Sequence, residues 1–142
     1  MVIETATRHD LPAVRTLLTS HHLPLDGVDD LADSMVIARH NSHIVGAAAL
    51  ELYADDALLR SVAVDPSVQG QRVGHRLAQA ALEMAQQRGA RTVFLLTTTA
   101  DGFFPKFGFE RVTRADVPAS VQASIEFKSA CPASAVVMRK RL

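Results

Sequence analysis

Leu58-Leu59-Arg60-Ser61-Val62-Ala63-Val64-Asp65-Pro66-Ser67-Val68-Gln69-Gly70-Gln71-Arg72-Val73-Gly74, followed by an amphipathic run from His75 to Arg88, is the stretch that decides the fold. It reads as strand, glycine-bearing loop and helix. Leu58 to Val64 is too short and too apolar for a surface helix, and Pro66 ends it. Val73, Leu77, Ala80, Ala81 and Met84 recur at helical spacing, and Gly89 stands where a C-terminal glycine cap belongs. Such a join points backbone N–H groups out of the loop and the first helical turn, where the helix dipole adds partial positive charge. The place suits a phosphate or pyrophosphate.

Taken alone, Gly70-x-x-x-Gly74 also fits a tight strand-to-helix turn with no ligand. A Walker loop needs Lys and Ser or Thr after its last glycine, and His75-Arg76 follows instead. The Gly-x-Gly-x-x-Gly of a dinucleotide fingerprint is absent. A nucleotide-binding protein is therefore the weakest of three functional readings.

The chain's 142 residues make one domain by size, 1–142, and 48% hydrophobic residues supply a core. Fifteen basic and fifteen acidic residues cancel, so nothing pulls the chain toward nucleic acid or an anionic membrane. No apolar run reaches a membrane-spanning ~18 residues, and no signal-peptide pattern opens the chain. With a single cysteine, the simplest expectation is a cytoplasmic protein without an internal disulfide.

Taken in order, Val2 to Ala6 reads as a strand. Thr7-x-x-Asp10 resembles a capping box ahead of a helix carrying Leu11, Val14, Leu17 and Leu18 and ending near Ser20. Val28 to Asp33 is expected to form a short helix. Met35 to Arg39 and His43 to Tyr53 read as strands joined at Asn41-Ser42, and Gly46-Ala47-Ala48-Ala49 permits close packing. His21, His22 and the nearby aspartates show no recurring ligand spacing, so no metal is expected. Asp55-Asp56 is read as a turn. Strict alternation then puts Arg60, Val62 and Val64 on one face. Glu51 and Arg60 can meet as a structural ion pair. Alternatively, Glu51 is a base and Arg60 grips a substrate carboxylate. Thr92 to Leu96 is a buried strand, one of Thr97, Thr98 and Thr99 caps the next helix, and Phe103, Phe104, Phe107 and Phe109 form a core cluster. Asp116 to Ile125 reads as a helix and Ala135 to Met138 as the last strand, with Lys140 and Arg141 as solubilising charge.

The Leu59–Gly74 block is similar to the acetyl-CoA loop of the GNAT superfamily of N-acetyltransferases, Gln/Arg-x-x-Gly-x-Gly/Ala, with Arg72 where the middle glycine usually stands. Ala100-Asp101-Gly102-Phe103-Phe104-Pro105-Lys106-Phe107-Gly108-Phe109 resembles that family's Ala-x-x-Phe-Tyr-x-Lys-x-Gly-Phe. Leu95 to Ala100 and the tail Phe127-Lys128-Ser129-x-Cys131-Pro132-x-Ser134-Ala135 look closer to the arsenic-resistance-linked branch, with the N-acetylglutamate synthase acetyltransferase domain as a neighbour. The resemblance implies an α/β (α+β) fold: a mixed, mostly antiparallel sheet with a splayed strand pair and helices on both faces. It implies an acetyl-CoA site made of Val62, Ala63, Val64, Gln69, Gly70, Gln71, Arg72, Val73, Gly74 and His75, with Phe104 and Phe107 beside it. It implies a small-molecule amine acceptor, an amino acid or amino-acid-like toxicant, and a modest expectation of a homodimer.

Acetyl transfer needs a bound thioester, a neutral amine, an oxyanion donor and a proton for the leaving thiolate. The Val64 N–H is the candidate oxyanion donor. Glu51, through a water, is the candidate base, because an α-amine of pKa near ~8 is mostly charged at neutral pH. Arg60, Thr97, Thr98 and Lys106 are the candidate acceptor contacts. Phe104 stands where many members carry a tyrosine acid and cannot donate a proton, although a thiol of pKa ~8.5 leaves tolerably unaided. Phe104 and Arg72 therefore keep a second reading open, a non-catalytic acyl-CoA-binding module. Cys131 is read as a buried thiol.

Overall fold

The structure, a computed structural model, describes residues 1–130 and 134–142. Seven strands form one sheet: β1 (Val2–Thr5), β2 (Met35–His40), β3 (His43–Tyr53), β4 (Asp56–Val64), β5 (Thr92–Thr97), β6 (Glu110–Val112) and β7 (Val136–Arg141). Their spatial order is β1-β2-β3-β4-β5-β7-β6. Only the central β4–β5 pair is parallel. Parallel neighbours require a crossover, and the loop and helix after β4 provide it. No helix among the described residues is long and apolar enough to cross a membrane.

Helix α1 (Leu11–Ser20) buries Val14 and Leu18 against Met35, Ile37, Ala47 and Ala63 on one sheet face. Helix α2 (Val73–Gln87) buries Leu77 and Ala81 against Leu50, Leu59 and Leu95 on the other. The short α3 (Ala119–Gln122) brings Val121 onto Leu58, Phe94 and Val137, on the α1 side. Helix α2 ends as its glycine requires: Gly89 takes φ +91°, and the Ala90 N–H returns to the Ala85 carbonyl at 2.9 Å. Asn41 and Ser42 both have positive φ, the form a two-residue hairpin favours.

Four details correct the sequence reading. Ala47 opposes Ala63 and Ala49 opposes Arg60, so Ala48 faces both Ser61 and Val62 across a β-bulge. Ser61 sits at φ +58° to make it. The extra residue resets the alternation: Arg60 shares the α1 face with Leu58 and Ala63, while Val62 and Val64 lie on the α2 face. The helix expected over Val28 to Asp33 is instead two 3₁₀ turns, Val28–Asp30 and Ala32–Ser34. The one expected over Asp116 to Ile125 is broken twice: Pro118 separates a 3₁₀ turn (Arg114–Asp116) from α3, and α3 ends at Gln122 before a π-helical turn (Glu126–Ala130). The last strand runs on to Arg141, so Lys140 and Arg141 belong to the sheet, and Asp56 already belongs to β4.

The close approach of α2 to β3 depends on Gly46. A Cβ there would lie 2.6 Å from Leu77 Cδ1 and 3.3 Å from the Ala63 carbonyl oxygen. Gly46→Ala is therefore expected to destabilise the fold by about 1–3 kcal/mol through overpacking. Urea unfolding checks this, and an unchanged midpoint would contradict the packing described.

Candidate active site

The β4–β5 ladder runs from Asp56 opposite Thr92 to Leu59 opposite Leu95 and then stops. Beyond it the strands diverge around a cavity of about 290 Å³. Leu59 to Val62 form one wall and Leu95 to Ala100 the other. His22 to Pro24 close it from the α1 side, Phe103 and Phe104 from the α2 side, and Glu126 and Ala135 from the C-terminal segment.

Ladder alternation orients the exposed backbone. The Asp65 N–H donates to the Val45 carbonyl at 2.7 Å, and the next pair is Gly46 with Val64. Bonded and non-bonded pairs alternate in an antiparallel ladder, so Val64 turns its N–H and C=O away from β3, toward the side that β5 has left. The carbonyl meets His21 Nε2 at 2.9 Å. A carbonyl only accepts, so that nitrogen carries a hydrogen; Nδ1 also faces a carbonyl, that of Leu17 at 3.0 Å. Ala63, one residue back, faces β3 and buries its methyl in the α1 core.

At the top of β4, Asp65 accepts from the Ser67 N–H at 2.9 Å and starts a 3₁₀ turn, Pro66–Val68. Gln69 is extended, Gly70 has φ +87° and Arg72 has φ +61° as the residue before α2. The Gln71 N–H is used by Val68. Those of Gly70, Arg72, Val73, Gly74 and His75 have no partner among the described residues, as expected of a helix start without a side-chain cap. A row of unpaired N–H groups at a helix start is an arrangement able to hold an anion. Arg72 explains the usual glycine, since a left-handed conformation costs an L-residue roughly 1–2 kcal/mol. A methyl on Gly74 would make ordinary contact with Val64 and Phe103, so here the helix start, not crowding, sets the geometry. His75 packs on Phe107 with ring centroids 4.8 Å apart. Phe104 is buried edge-on to Phe109.

Below the splay lies a buried polar network. The Arg60 side chain is 0% exposed; its Nη1 donates to Glu51 Oε2 at 2.8 Å and its Nε to Ser61 Oγ at 3.2 Å. Glu126 Oε2 stands 3.6 Å from Nε. Arg60 Nη2 is buried and has no partner among the described residues. The Tyr53 hydroxyl donates to the other oxygen of Glu51. Burial pushes the Glu51 carboxyl up, but hydrogen bonds from Tyr53, Arg60 and Ser124 outweigh it and hold it below its ordinary 4.5. Burial and the adjacent carboxylate push Tyr53 up to about 12.

Two expected site residues move. Glu51 stands behind Arg60 and is not part of the cavity wall, with both its oxygens engaged. Lys106 is exposed beside Phe103, 6.0 Å from its ring centroid and off the wall. Thr97 and Thr98 both line the cavity, and Thr97 Oγ1 accepts from the Ala100 N–H at 2.9 Å in the loop after β5; the expected threonine cap is not there, because the next helical turn, Phe104–Phe107, starts at Phe103 without a side-chain cap. Glu126 was not singled out by sequence, and His21 was weighed there only as a metal ligand. An acid within the otherwise apolar Ile125-Glu126-Phe127 was the available signal for Glu126; His21 had none, because its partner is 43 positions away. Cys131 and Pro132 lie outside the described residues.

The chain has one tyrosine and no tryptophan, so phenolate absorbance reads Tyr53 alone. A midpoint near 12 is expected instead of 10.0, falling in Glu51→Gln. A raised pKa makes this contribution to stability complete below pH ~10 and lost as pH rises through the folded value. The depressed Glu51 contributes above pH 4.5 and is lost as pH falls through its lower folded value. A phenolate midpoint at the ordinary value would contradict the pair.

Comparison with known proteins places this geometry. The profile of the acetyltransferase (GNAT) domain matches residues 32–111. An amino-acid acetyltransferase of Mycobacterium tuberculosis is 28% identical over 130 residues, covering 84% of this chain and 74% of that protein. One from Aeromonas salmonicida is 29% identical over 92 residues, 63% of this chain, and the match spans only 21% of that longer protein. Among solved structures, N-acetylglutamate synthase from Neisseria gonorrhoeae, complexed with coenzyme A and N-acetyl-glutamate, superposes with a TM-score of 0.85 at 22% identity, over 99% of this chain and 35% of that one. A Mycobacterium tuberculosis protein in complex with CoA gives 0.84 at 23% identity over 100% and 99% of the two chains. At such identities the structures speak for the fold alone. The profile match spans more than half of the sequence, including the strand–loop–helix join, and by it this chain belongs to the GNAT family of acetyltransferases, enzymes whose cosubstrate is acetyl-CoA.

Proposed function

We propose that this chain moves the acetyl group of acetyl-CoA to the amine of a small amino-acid-like molecule by direct attack, and that residues 1–142 act as one acetyltransferase domain. The observation that carries the proposal is the splay. It puts unpaired β4 backbone and an orphaned, buried guanidinium nitrogen around one cavity. A buried N–H without a partner calls for an explanation, and a ligand oxygen supplies one. The acetyltransferases of amino acids among the relatives support an amino acid as acceptor.

In this reading the pyrophosphate sits on the N–H groups of Gly70 and of Arg72 to His75, with Gln69 and Gln71 completing the loop. The pantetheine arm takes the β4 backbone of Val62 and Val64 as a replacement strand. Ala63 contributes chain geometry only, because it faces β3. The Val64 N–H donates to the tetrahedral oxyanion. Phe104 walls the thioester end and Phe107 supports His75. The acceptor's carboxylate goes to Arg60 Nη2, with Thr97 and Thr98 beside it. Glu51 is a positioning residue that holds Arg60, since an engaged carboxylate with a depressed pKa is a poor base. The neutral fraction of the amine then attacks the thioester carbon, the C–S bond breaks, and the proton shed by the new amide nitrogen passes through solvent to the departing thiolate, without a protein acid.

Phe104 also favours a second reading, a domain that binds acyl-CoA without turnover. Differential thermal unfolding combined with CoA-thiol release separates the two. Acetyl-CoA at 100 times its dissociation constant should add about 2.7 kcal/mol of stability, while ATP and NAD add none. Gly74→Pro should abolish that gain in a folded protein. Thiol release dependent on an amino acid supports transfer, and tight binding with no release from any amine supports the second reading. Stabilisation by ATP or NAD in place of acetyl-CoA would overturn both.

A further inference from the structure

In the proposed transfer, on which this inference rests, the proton shed by the acceptor nitrogen has no carrier on the protein. Glu51 is off the cavity wall with both oxygens engaged. On the wall, the Arg60 guanidinium cannot be deprotonated, and the hydroxyls of Ser61 and Thr97 to Thr99 are weak bases. Glu126 is 4% exposed and stands 3.6 Å from Arg60 Nε. His22 is the one imidazole on the wall; it is exposed, and its ring has no hydrogen-bond partner among the described residues. Imidazole both takes and yields a proton readily near neutral pH, and an exposed one can exchange it with water.

The backbone around His22 points the same way. Helix α1 closes in a Schellman motif, in which the His22 N–H donates to the Thr19 carbonyl and the Leu23 N–H to the Leu18 carbonyl, each at 3.0 Å. His22 is the residue that turns left-handed there, at φ +57°. Glycine is the usual occupant of that position and a side chain on it costs stability, so a histidine there, on a cavity wall, suggests a use for the ring. The segment is also pinned at two points that frame the acceptor's seat. His21 Nε2 meets the carbonyl of Val64 at 2.9 Å, the residue whose N–H is assigned to the oxyanion. A Cβ on Gly27 would lie 3.7 Å from Arg60 Nη1, on the guanidinium assigned to the acceptor's carboxylate. An α-amine tethered to a carboxylate on Arg60 and reaching the thioester at Val64 passes between those points. We propose that His22 is the catalytic proton carrier. As the N–C bond forms, the proton of the attacking nitrogen passes to the free imidazole; the C–S bond breaks, the imidazolium yields the proton to water, and the departing thiolate is protonated from water.

CoA-thiol release by the purified chain, with acetyl-CoA and each common amino acid in turn, tests this, the fastest acceptor being carried forward. His22→Gly suits the left-handed backbone, so its urea midpoint should stay near that of the wild type. Its kcat should fall about a hundredfold, with the thermal shift produced by acetyl-CoA unchanged, and added imidazole should restore part of the loss. His22→Asn also accepts the left-handed form and makes hydrogen bonds, but it carries no proton, and it should be as slow. Wild-type kcat in either variant, or a slow His22→Gly protein that imidazole leaves unchanged, would overturn the role of His22 alone. No thiol release by the wild type with any amino acid would remove the proposed acceptor, and this inference with it.

Discussion

Backbone groups that leave a ladder must find partners elsewhere, and this fold turns on the point where β4 parts from β5. Up to Leu59 and Leu95 the strands satisfy each other. Beyond it, the bulge at Ser61 twists β4, and Val64 presents N–H and C=O to a side with no strand. One carbonyl is met by His21. The rest of the gap is a vacant ladder, ended by a helix start whose N–H groups are also unpaired. An extended, amide-bearing molecule with a pyrophosphate satisfies both deficits together, which is what coenzyme A is. The surrounding packing serves this geometry: Gly46 lets α2 lie close on β3, and α2 aims the loop.

The same splay exposes the polar centre of the sheet. Arg60 would be costly to bury alone, and Glu51, Ser61, Tyr53 and Glu126 surround it. Such a cluster contributes little net stability compared with apolar packing, yet breaking one partner leaves a stranded charge. Its value is orientation. The bulge carries Arg60 to the α1 face, so the guanidinium is separated from Val62 and Val64; in the proposed reading that one inserted residue divides acceptor chemistry from cosubstrate pairing.

Much of this was legible in the sequence because its signals are local. The helical stripe from Val73 to Met84 and the cap at Gly89 fixed α2. Asn41-Ser42 fixed a hairpin. The Gln69–Gly74 spacing pointed to the loop whose N–H groups are unpaired. The bulge was not legible, since Ser61 carries no mark of left-handed backbone and the pattern around it reads as plain alternation. That single residue reversed the face of Arg60. Pro118 broke a stripe, Val117, Val121 and Ile125, that otherwise reads as one helix. Glu126 and His21 join the site only through tertiary contacts, and a sequence read by windows has no access to those. Lys106 was assigned by charge and lies exposed beside Phe103, off the cavity wall.

The most direct test is amide hydrogen exchange at Val62 and Val64 with and without acetyl-CoA. Fast exchange is expected in the free protein, because no strand covers these groups, and strong protection of the Val64 N–H once the cosubstrate occupies the gap. Protection at the Gly70–His75 loop should appear with it. Unchanged exchange at Val62 and Val64 under saturating acetyl-CoA would contradict the claim that the splay is the cosubstrate's seat.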